Sequence, residues 1–589
     1  MCGIAGILGS SEQTGRVREM TEALAHRGPD DQGYFIEQGA GRGIALGHRR
    51  LAILDLSPAG RQPMASRDGR YVLVLNGEIF NYRELGQELS GPFRSASDTE
   101  VLVEACAAWG LEKTLEKANG MFAFALWDTH RRELSLARDR CGEKPLVYFS
   151  DGTTFAFASE MKALQGWHGS RLDPEAVDAY LALGYVPAPL GIFRDCRKLP
   201  AGHLLRVRDR APGIAEIRRW WVPERAIPAA GRSRRDRIEE LRALLADAVR
   251  IRLRADVPLA LCLSGGVDST VVAAECARQG AALNVFTVAL DGDATDLPYA
   301  RMAAAALDLK HEIIEAPQSA AGHQLQSVVE HYDEPFADSS ALPALALARA
   351  LGGRYKIVLN GDGGDEAFAG YRHYEHIAAK QIVKAVAAAA GIAEGSGGVG
   401  VYVQSKSTFR SAERVRMLGG RASGDTLSLL LSNDEYLGRG NHLPAGALRR
   451  ALWSDRHLYL PNDLTYKMDI ALGAFGMEGR APFLDHRILE WSQGLEDCEL
   501  VRGREKKILL REAYRRELPA GILDRPKHGF GAPISAWLAG PLEQMCRESL
   551  PCPLLDASAQ AAALGDSGGQ RQWTLLAFAC WARTWRATW

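Results

Sequence analysis

Three short stretches carry residue types whose spacing allows chemistry. LCLSGGVDST (261–270) lies between a strand-like apolar run and a helix-like one. There Ser264, Gly265, Gly266 and Ser269 bring small side chains and free backbone amides to a helix N-terminus, a ready anion site. The loop has no lysine and no G-x-x-x-x-G-K-[ST] spacing, so it is not a Walker loop. Asp268 within it is out of place beside an anion unless a cation joins carboxylate to phosphate, which is the work of Mg²⁺. GDGGDEAFAGY (361–371), after the strand-like YKIVLN, sets Asp362, Asp365 and Glu366 among glycines. Alone it reads as a solvated acidic turn. As a second acidic glycine loop at the end of a second parallel strand, where ligands of such sheets bind, it offers Asp365 as a second Mg²⁺ ligand. The third stretch is MCGIAGILGS (1–10). Removal of Met1 would leave Cys2 with a free α-amine beside its own thiol, able to act as base for that nucleophile. Taken by itself, a buried structural cysteine is the commoner outcome.

These residues need elements to hold them. Residues 1–210 contain short apolar runs punctuated by turns, such as YVLVLNGEIFNY, GMFAFALWD and TTFAFASEM. One helix interrupts them in DTEVLVEACAAWG (98–110), with Asp98 or Thr99 as its cap. The pattern predicts an α+β first domain of layered antiparallel sheets, residues 2–210. VPERAIPAAGRSRRDR (222–237) lacks periodicity, and 211–236 is assigned as a linker. From 237 to 589 strand-like runs alternate with helices, which predicts an α/β domain with a parallel sheet. Helices dominate its C-terminal part from about 367, apart from the Gly/Ser-rich loop AEGSGGVGV (393–401).

At 589 residues, more than one domain is expected. The chain is 47% hydrophobic and 24% charged, an ordinary globular composition. A net charge of -1 provides no global field toward nucleic acid or membrane, and no window reaches the run of about 18 apolar residues a spanning helix needs. No secretory signal pattern is seen at the N-terminus. Ten scattered cysteines with no C-x-x-C argue against zinc or a disulfide framework, so a reduced, cytoplasmic protein is expected.

The S-G-G-V-D-S string resembles the pyrophosphate loop of the ATP pyrophosphatase superfamily, whose members cleave ATP between the α and β phosphates and adenylate a substrate. Together with MCGIAG, AHRGPDDQG (25–33), GHRRLAILD (47–55), LNGEIFNY (75–82) and SDTE (97–100), it is similar to the glutamine-hydrolysing asparagine synthetase family. The similarity continues through ARDRCGEKPL (137–146), FASEMKAL (157–164), YDEPFADSSALP (332–343), GRAPFLDH (479–486), REKKILLRE (504–512) and HGFGAPISAW (528–537). It implies an N-terminal-nucleophile glutaminase domain fused to an ATP-pyrophosphatase synthetase domain.

The resemblance also implies roles. Cys2 attacks the side-chain amide of glutamine, forming a thioester and releasing ammonia, with its α-amine shuttling the proton. The Asn76 side chain and Gly77 backbone amide form an oxyanion hole. Arg50 grips the glutamine carboxylate, and Asp98, with Glu78 nearby, receives the ammonium. Ammonia crosses a dry passage to the second domain, where a carboxylate has been activated as its adenylate. Lys507 neutralises the departing pyrophosphate, with Lys506 an equally basic alternative. Gly361 and the strand ending at Val288 seat adenosine. Asp362 occupies the place of a glutamate implicated in amidation in asparagine synthetases that read S-G-E-G-A-D-E. The implied cofactors are ATP and Mg²⁺. The implied partners are glutamine, ATP and aspartate or another carboxylate, in a homodimer, without nucleic acid or membrane. Aspartate is the leading acceptor; a uronic-acid sugar or a natural-product acid keeps the same mechanism. A tRNA-modifying enzyme and an inactive sensor are less favoured.

Overall fold

The computed structural model describes every residue except 40, 210, 223–231, 291–295, 390–401, 404, 433–445, 526–530 and 565–568. The Gly/Ser-rich loop at 393–401, much of the linker stretch and the start of HGFGAPISAW thus lie outside the described residues.

The first domain stacks two six-stranded antiparallel sheets. Its strands are β1 (Gly3–Ser10), β2 (Asp31–Gln38), β3 (Arg42–Arg50), β4 (Met64–Ala65), β5 (Tyr71–Ile79), β6 (Gly120–Asp128), β7 (Glu133–Arg138), β8 (Val147–Ser150), β9 (Phe155–Ala158), β10 (Cys196–Lys198), β11 (His203–Arg208) and β12 (Ala211–Arg219). One sheet runs β10-β8-β9-β1-β3-β2, the other β12-β11-β7-β6-β5-β4. Between them Ile4, Leu8, Leu46, Val74, Trp127, Leu136 and Phe157 form one core. The other face of β1, Ala5 and Ile7, packs with Val17, Met20 and Leu24. Burial on both faces explains why MCGIAGILGS shows no alternation.

Two local features differ from the sequence expectation. The helix Asp98–Trp109 is capped by Ser97, whose hydroxyl accepts from Glu100 N, and not by Asp98 or Thr99. This leaves the Asp98 carboxylate to accept from Ile79 N at 2.8 Å. Residues 211–219, assigned to the linker, instead pair as β12 with β11. Its charged residues make cross-strand ion pairs, Arg206 with Glu216 at 2.8 Å among them, and so lack the apolar rhythm that marks a strand.

The second domain is built on an all-parallel sheet ordered β15-β14-β13-β16-β17. Its strands are β13 (Leu259–Cys262), β14 (Asn284–Leu290), β15 (Lys310–Ala316), β16 (Ile357–Leu359) and β17 (Glu478–Arg480). Both glycine loops leave the C-terminal ends of adjacent strands, β13 and β16, which brings two segments about 100 residues apart together. β17 is three residues long, reads E-G-R and follows the helix Thr465–Gly473, so nothing in its pattern announces a strand. It closes the sheet edge facing the first domain. Fully buried ion pairs cross there: Arg27 with Asp469 at 2.7 Å, and Arg480 with Glu78. Among the described residues no helix is long and apolar enough to cross a membrane.

Candidate active sites

The first centre forms where β1, β5 and β17 meet. Cys2 is half-buried, its thiol donating weakly to Leu51 O at 3.9 Å, while Arg27 Nε donates to the Cys2 carbonyl at 3.0 Å. Burial pushes the thiol up, and the adjacent Met1 amine pulls the other way. That amine donates to Met477 O at 3.4 Å and is lowered by burial to about 5. The Met1 side chain is 1% exposed.

Asn76 and Glu78 share one face of β5. Asn76 is fully buried, yet neither its side-chain nitrogen nor its oxygen has a hydrogen-bond partner among the described residues. Such a group is costly unless a ligand satisfies it. Gly77 sits at φ +135°, and a Cβ there would lie 2.0 Å from Met121 O, so only glycine fits. Arg50 is 6% exposed; its guanidinium donates to the carbonyls of Ser57, Leu54 and Asp55 in the following loop. Asp98 is buried, and burial raises its carboxyl to about 6 against the Ile79 hydrogen bond.

Glu78 has a second tie that the sequence did not show. One carboxylate oxygen pairs with Arg480 of β17, while the other is buried without a hydrogen-bond partner among the described residues. Burial pushes Glu78 up, and neighbouring Glu478 adds to the rise. Burial acts on Glu478 too, but Arg480, whose Nε donates to it at 3.0 Å, keeps it ionised and low. The charge of Glu478 is felt by the Cys2 thiol, the Met1 amine, Glu78 and Asp98. Arg27, Glu478 and Arg480 were missed from sequence. The last two lie just before or within GRAPFLDH, whose recognisable pattern carries no hint of reaching another domain.

The second centre is a cavity of about 620 Å³ at the C-terminal ends of β13 and β16. Ser264, Gly266, Asp268, Ser269, Gly361, Asp362 and Asp365 line it. Gly265 stands at the loop's bend with φ +67°, and Val288 is packed in the core, so neither lines the cavity. The two acidic loops interlock: a Cβ on Gly364 would lie 2.5 Å from the Asp268 carboxylate. Both lysines left open from sequence line the cavity, and it is Lys507 that bridges the two acidic loops. Its ammonium lies between Asp268 and Asp365, 2.5 Å from the latter, whereas Lys506 pairs with Glu375 at 3.0 Å. Lys507 does so from a left-handed backbone, φ +54°, a conformation that costs energy and is tolerated where the surroundings fix it.

The cavity also holds groups that sequence reasoning did not single out. Buried Lys467 donates to Asp338 at 2.7 Å and Ser340 at 2.6 Å. Two residues along the same helix, Asp469 takes Arg27 at 2.7 Å and Lys144 at 3.4 Å. One helix thus touches the second cavity and the residue that holds Cys2. Asn360 donates to Asp362 at 2.8 Å, and both also border a small void of about 20 Å³ that reaches Glu143 and Lys144 of the first domain. Burial and Asp139 raise Glu143 to about 8.

Comparison with known proteins agrees with these two halves. Residues 1–221 match the model of a glutamine amidotransferase domain and residues 240–583 that of asparagine synthase. A Mycobacterium tuberculosis H37Rv protein named as a glutamine-hydrolyzing asparagine synthetase is 31% identical over 99% of this chain and 97% of its own. Asparagine synthetase [glutamine-hydrolyzing] 1 of Bacillus subtilis is 28% identical over 95% and 91%. The amidase chyE of Penicillium rubens is 29% identical over 93% and 91%. Fold and matches define a two-domain enzyme, a carbon–nitrogen ligase with a glutamine amidotransferase half. The chain belongs to the asparagine synthase family, which joins ATP use to glutamine as nitrogen donor.

Proposed function

We propose that the protein converts aspartate to asparagine, with glutamine hydrolysed at Cys2 and ATP cleaved to AMP and pyrophosphate in the second cavity. The observation that carries this reading is the pair of centres tied by one helix: an unsatisfied Asn76 amide beside a cysteine at position 2, and Lys507 set between two carboxylates in a glycine-built cavity.

In the first centre, loss of Met1 would empty the buried space its side chain fills and give Cys2 the α-amine. An amine buried as this one is stays neutral near pH 7 and can take the thiol proton. The thiolate adds to the glutamine amide carbon; Asn76 and the Gly77 N–H receive the developing oxyanion, which supplies the partner Asn76 lacks. Arg50 and Asp98 hold the α-carboxylate and α-ammonium of glutamine. Ammonia leaves as the thioester forms, and water then releases glutamate. The void bordered by Glu143 and Asp362 supports a route between the centres, along which ammonia must be kept from water to keep its lone pair.

In the second centre the acceptor carboxylate attacks the α-phosphorus, and pyrophosphate leaves toward the loop amides and Lys507. The carboxylates of Asp268 and Asp365 fit Mg²⁺: hard oxygen donors, two in number, with substrate phosphates to complete the shell. Bound there, Mg²⁺ would neutralise phosphate charge. Ammonia then displaces AMP from the acyl-adenylate, with Asp362 accepting a proton. A cytoplasmic homodimer accompanies this reading.

Mass spectrometry with Mg²⁺-ATP, amide-¹⁵N glutamine and aspartate tests it. AMP and labelled asparagine formed at equal rates support the assignment. Glutamate without AMP or asparagine would remove aspartate as the acceptor.

A further inference from the structure

The small void between the two centres has on its wall a carboxyl that no other group engages. Its volume is about 20 Å³, room for one molecule the size of water or ammonia. It adjoins both centres. Asn360, Asp362 and Met468 belong to its wall and to that of the large cavity. On the other side stands Gly479, the middle residue of β17, between Glu478 and Arg480 of the Cys2 centre. Lys144 lines the void as well and pairs with Asp469, which also takes Arg27, the donor to the Cys2 carbonyl.

Glu143 enters from the first domain on a fixed loop. The Asp139 carboxylate accepts from the amides of Cys141, Glu143 and Lys144 at 2.9, 3.0 and 2.9 Å. Gly142 O accepts from Thr465 Oγ1 of the second domain at 3.1 Å. Glu143 is 8% exposed, and its carboxyl has no hydrogen bond or ion pair among the described residues. The two cations whose charge acts on it are already paired, Lys144 with Asp469 at 3.4 Å and Arg252 with Asp485 at 2.9 Å. Raised to about 8 by burial and Asp139, the group is mostly protonated at pH 7, with one O–H donor and one C=O acceptor.

An unpaired carboxyl buried between domains costs stability, a cost that an apolar side chain of similar size would avoid. Ammonia is a partner that fits: it has three N–H donors and one lone pair, and it is no larger than the void. A neutral carboxyl binds it without presenting a fixed negative charge, which would favour ammonium. We propose that Glu143 is the holding point for ammonia before amidation, hydrogen-bonded to it beside Asp362 until the acyl-adenylate is in place. This rests on the transfer of ammonia between the centres proposed above.

The test is an isotope competition. The full chain turns over amide-¹⁵N glutamine, aspartate and Mg²⁺-ATP in unlabelled ammonium, and the ratio of labelled to unlabelled asparagine is read for wild type, Glu143→Gln and Glu143→Leu. The ratio is internal, so it does not depend on how much activity a variant keeps. Glu143→Leu should lower it about fivefold or more, and Glu143→Gln, which keeps a donor and an acceptor, should restore most of it. A packing role would move the melting temperature and leave the ratio alone. A wild-type ratio in Glu143→Leu, or a ratio in Glu143→Gln as low as in Glu143→Leu, would overturn the proposal. Infrared difference spectra on adding ammonia read the same contact without any acceptor. A protonated-carboxyl band should shift in wild type and be missing from Glu143→Gln; no shift overturns the proposal. If wild type makes no asparagine even from ammonium, aspartate fails as the acceptor, and the infrared shift still decides for Glu143.

Discussion

The two centres are built on opposite plans. Around Cys2 the groups are packed and already engaged: Arg50 on loop carbonyls, Glu78 on Arg480, Asp98 on a backbone amide. The Asn76 amide and one Glu78 oxygen have no partner among the described residues. The second centre is an open cavity of about 620 Å³ with lysines and carboxylates facing one another across glycine loops. The difference follows from the chemistry. A covalent step on a small amide needs a few atoms fixed in a dry setting, whereas handling a triphosphate needs room and mobile counter-charge. The packed centre also borrows from its neighbour, since Glu478 and Arg480 belong to the second domain's sheet. It should therefore fail in more ways than the open one.

The largest separation between the two comes from Cys2→Ala. Glutamine-dependent product should fall by a factor on the order of 10³ or more, with ammonia-dependent product retained, read from paired rate measurements. Loss of both rates in a folded variant would show that the centres are not separable. Lys507→Met is the converse. Pyrophosphate release should fall about 10²- to 10³-fold while glutamate is still formed, and unchanged pyrophosphate release would remove Lys507 from the reaction.

Arg480→Met probes the borrowed part. It leaves Glu78 and Glu478 buried and facing each other, so unfolding free energy should drop by about 3–5 kcal/mol in calorimetry. A drop under 1 kcal/mol would mean that the pair is not buried in solution. The smallest effect is a pH dependence. Asp98 must be ionised to hold an ammonium, and its raised value of about 6 places that ionisation near neutrality. KM for glutamine should rise about tenfold per unit as pH falls below 6, and Asp98→Asn should flatten this profile. The sign on stability is opposite. A carboxyl whose folded pKa is raised costs stability when ionised, a cost complete above about pH 6 and gone below the ordinary carboxylate range.

Much of the site was legible because its chemistry is local. The amides of Ser264–Ser269, the acids of GDGGDE and the cysteine at position 2 announce themselves by type and spacing within ten residues. The two-domain order and the sheet types were legible too, because antiparallel meanders and strand–helix alternation leave different periodicities in the chain. Three things lay beyond it. The strand character of 211–219 was hidden by charges that satisfy one another across the ladder. That Lys507 bridges Asp268 and Asp365 while Lys506 takes Glu375 turned on which of two adjacent side chains faces carboxylates more than 100 residues away in sequence. The pairing of Glu78 with Arg480, about 400 residues distant, was made by a three-residue strand with no pattern of its own. Sequence alone determined which reagents this protein carries, since those follow from residue type and short-range geometry. Which reagents meet, and which are spent holding the domains together, was decided only in the tertiary structure, because long-range burial and charge pairing leave no periodic trace in the chain.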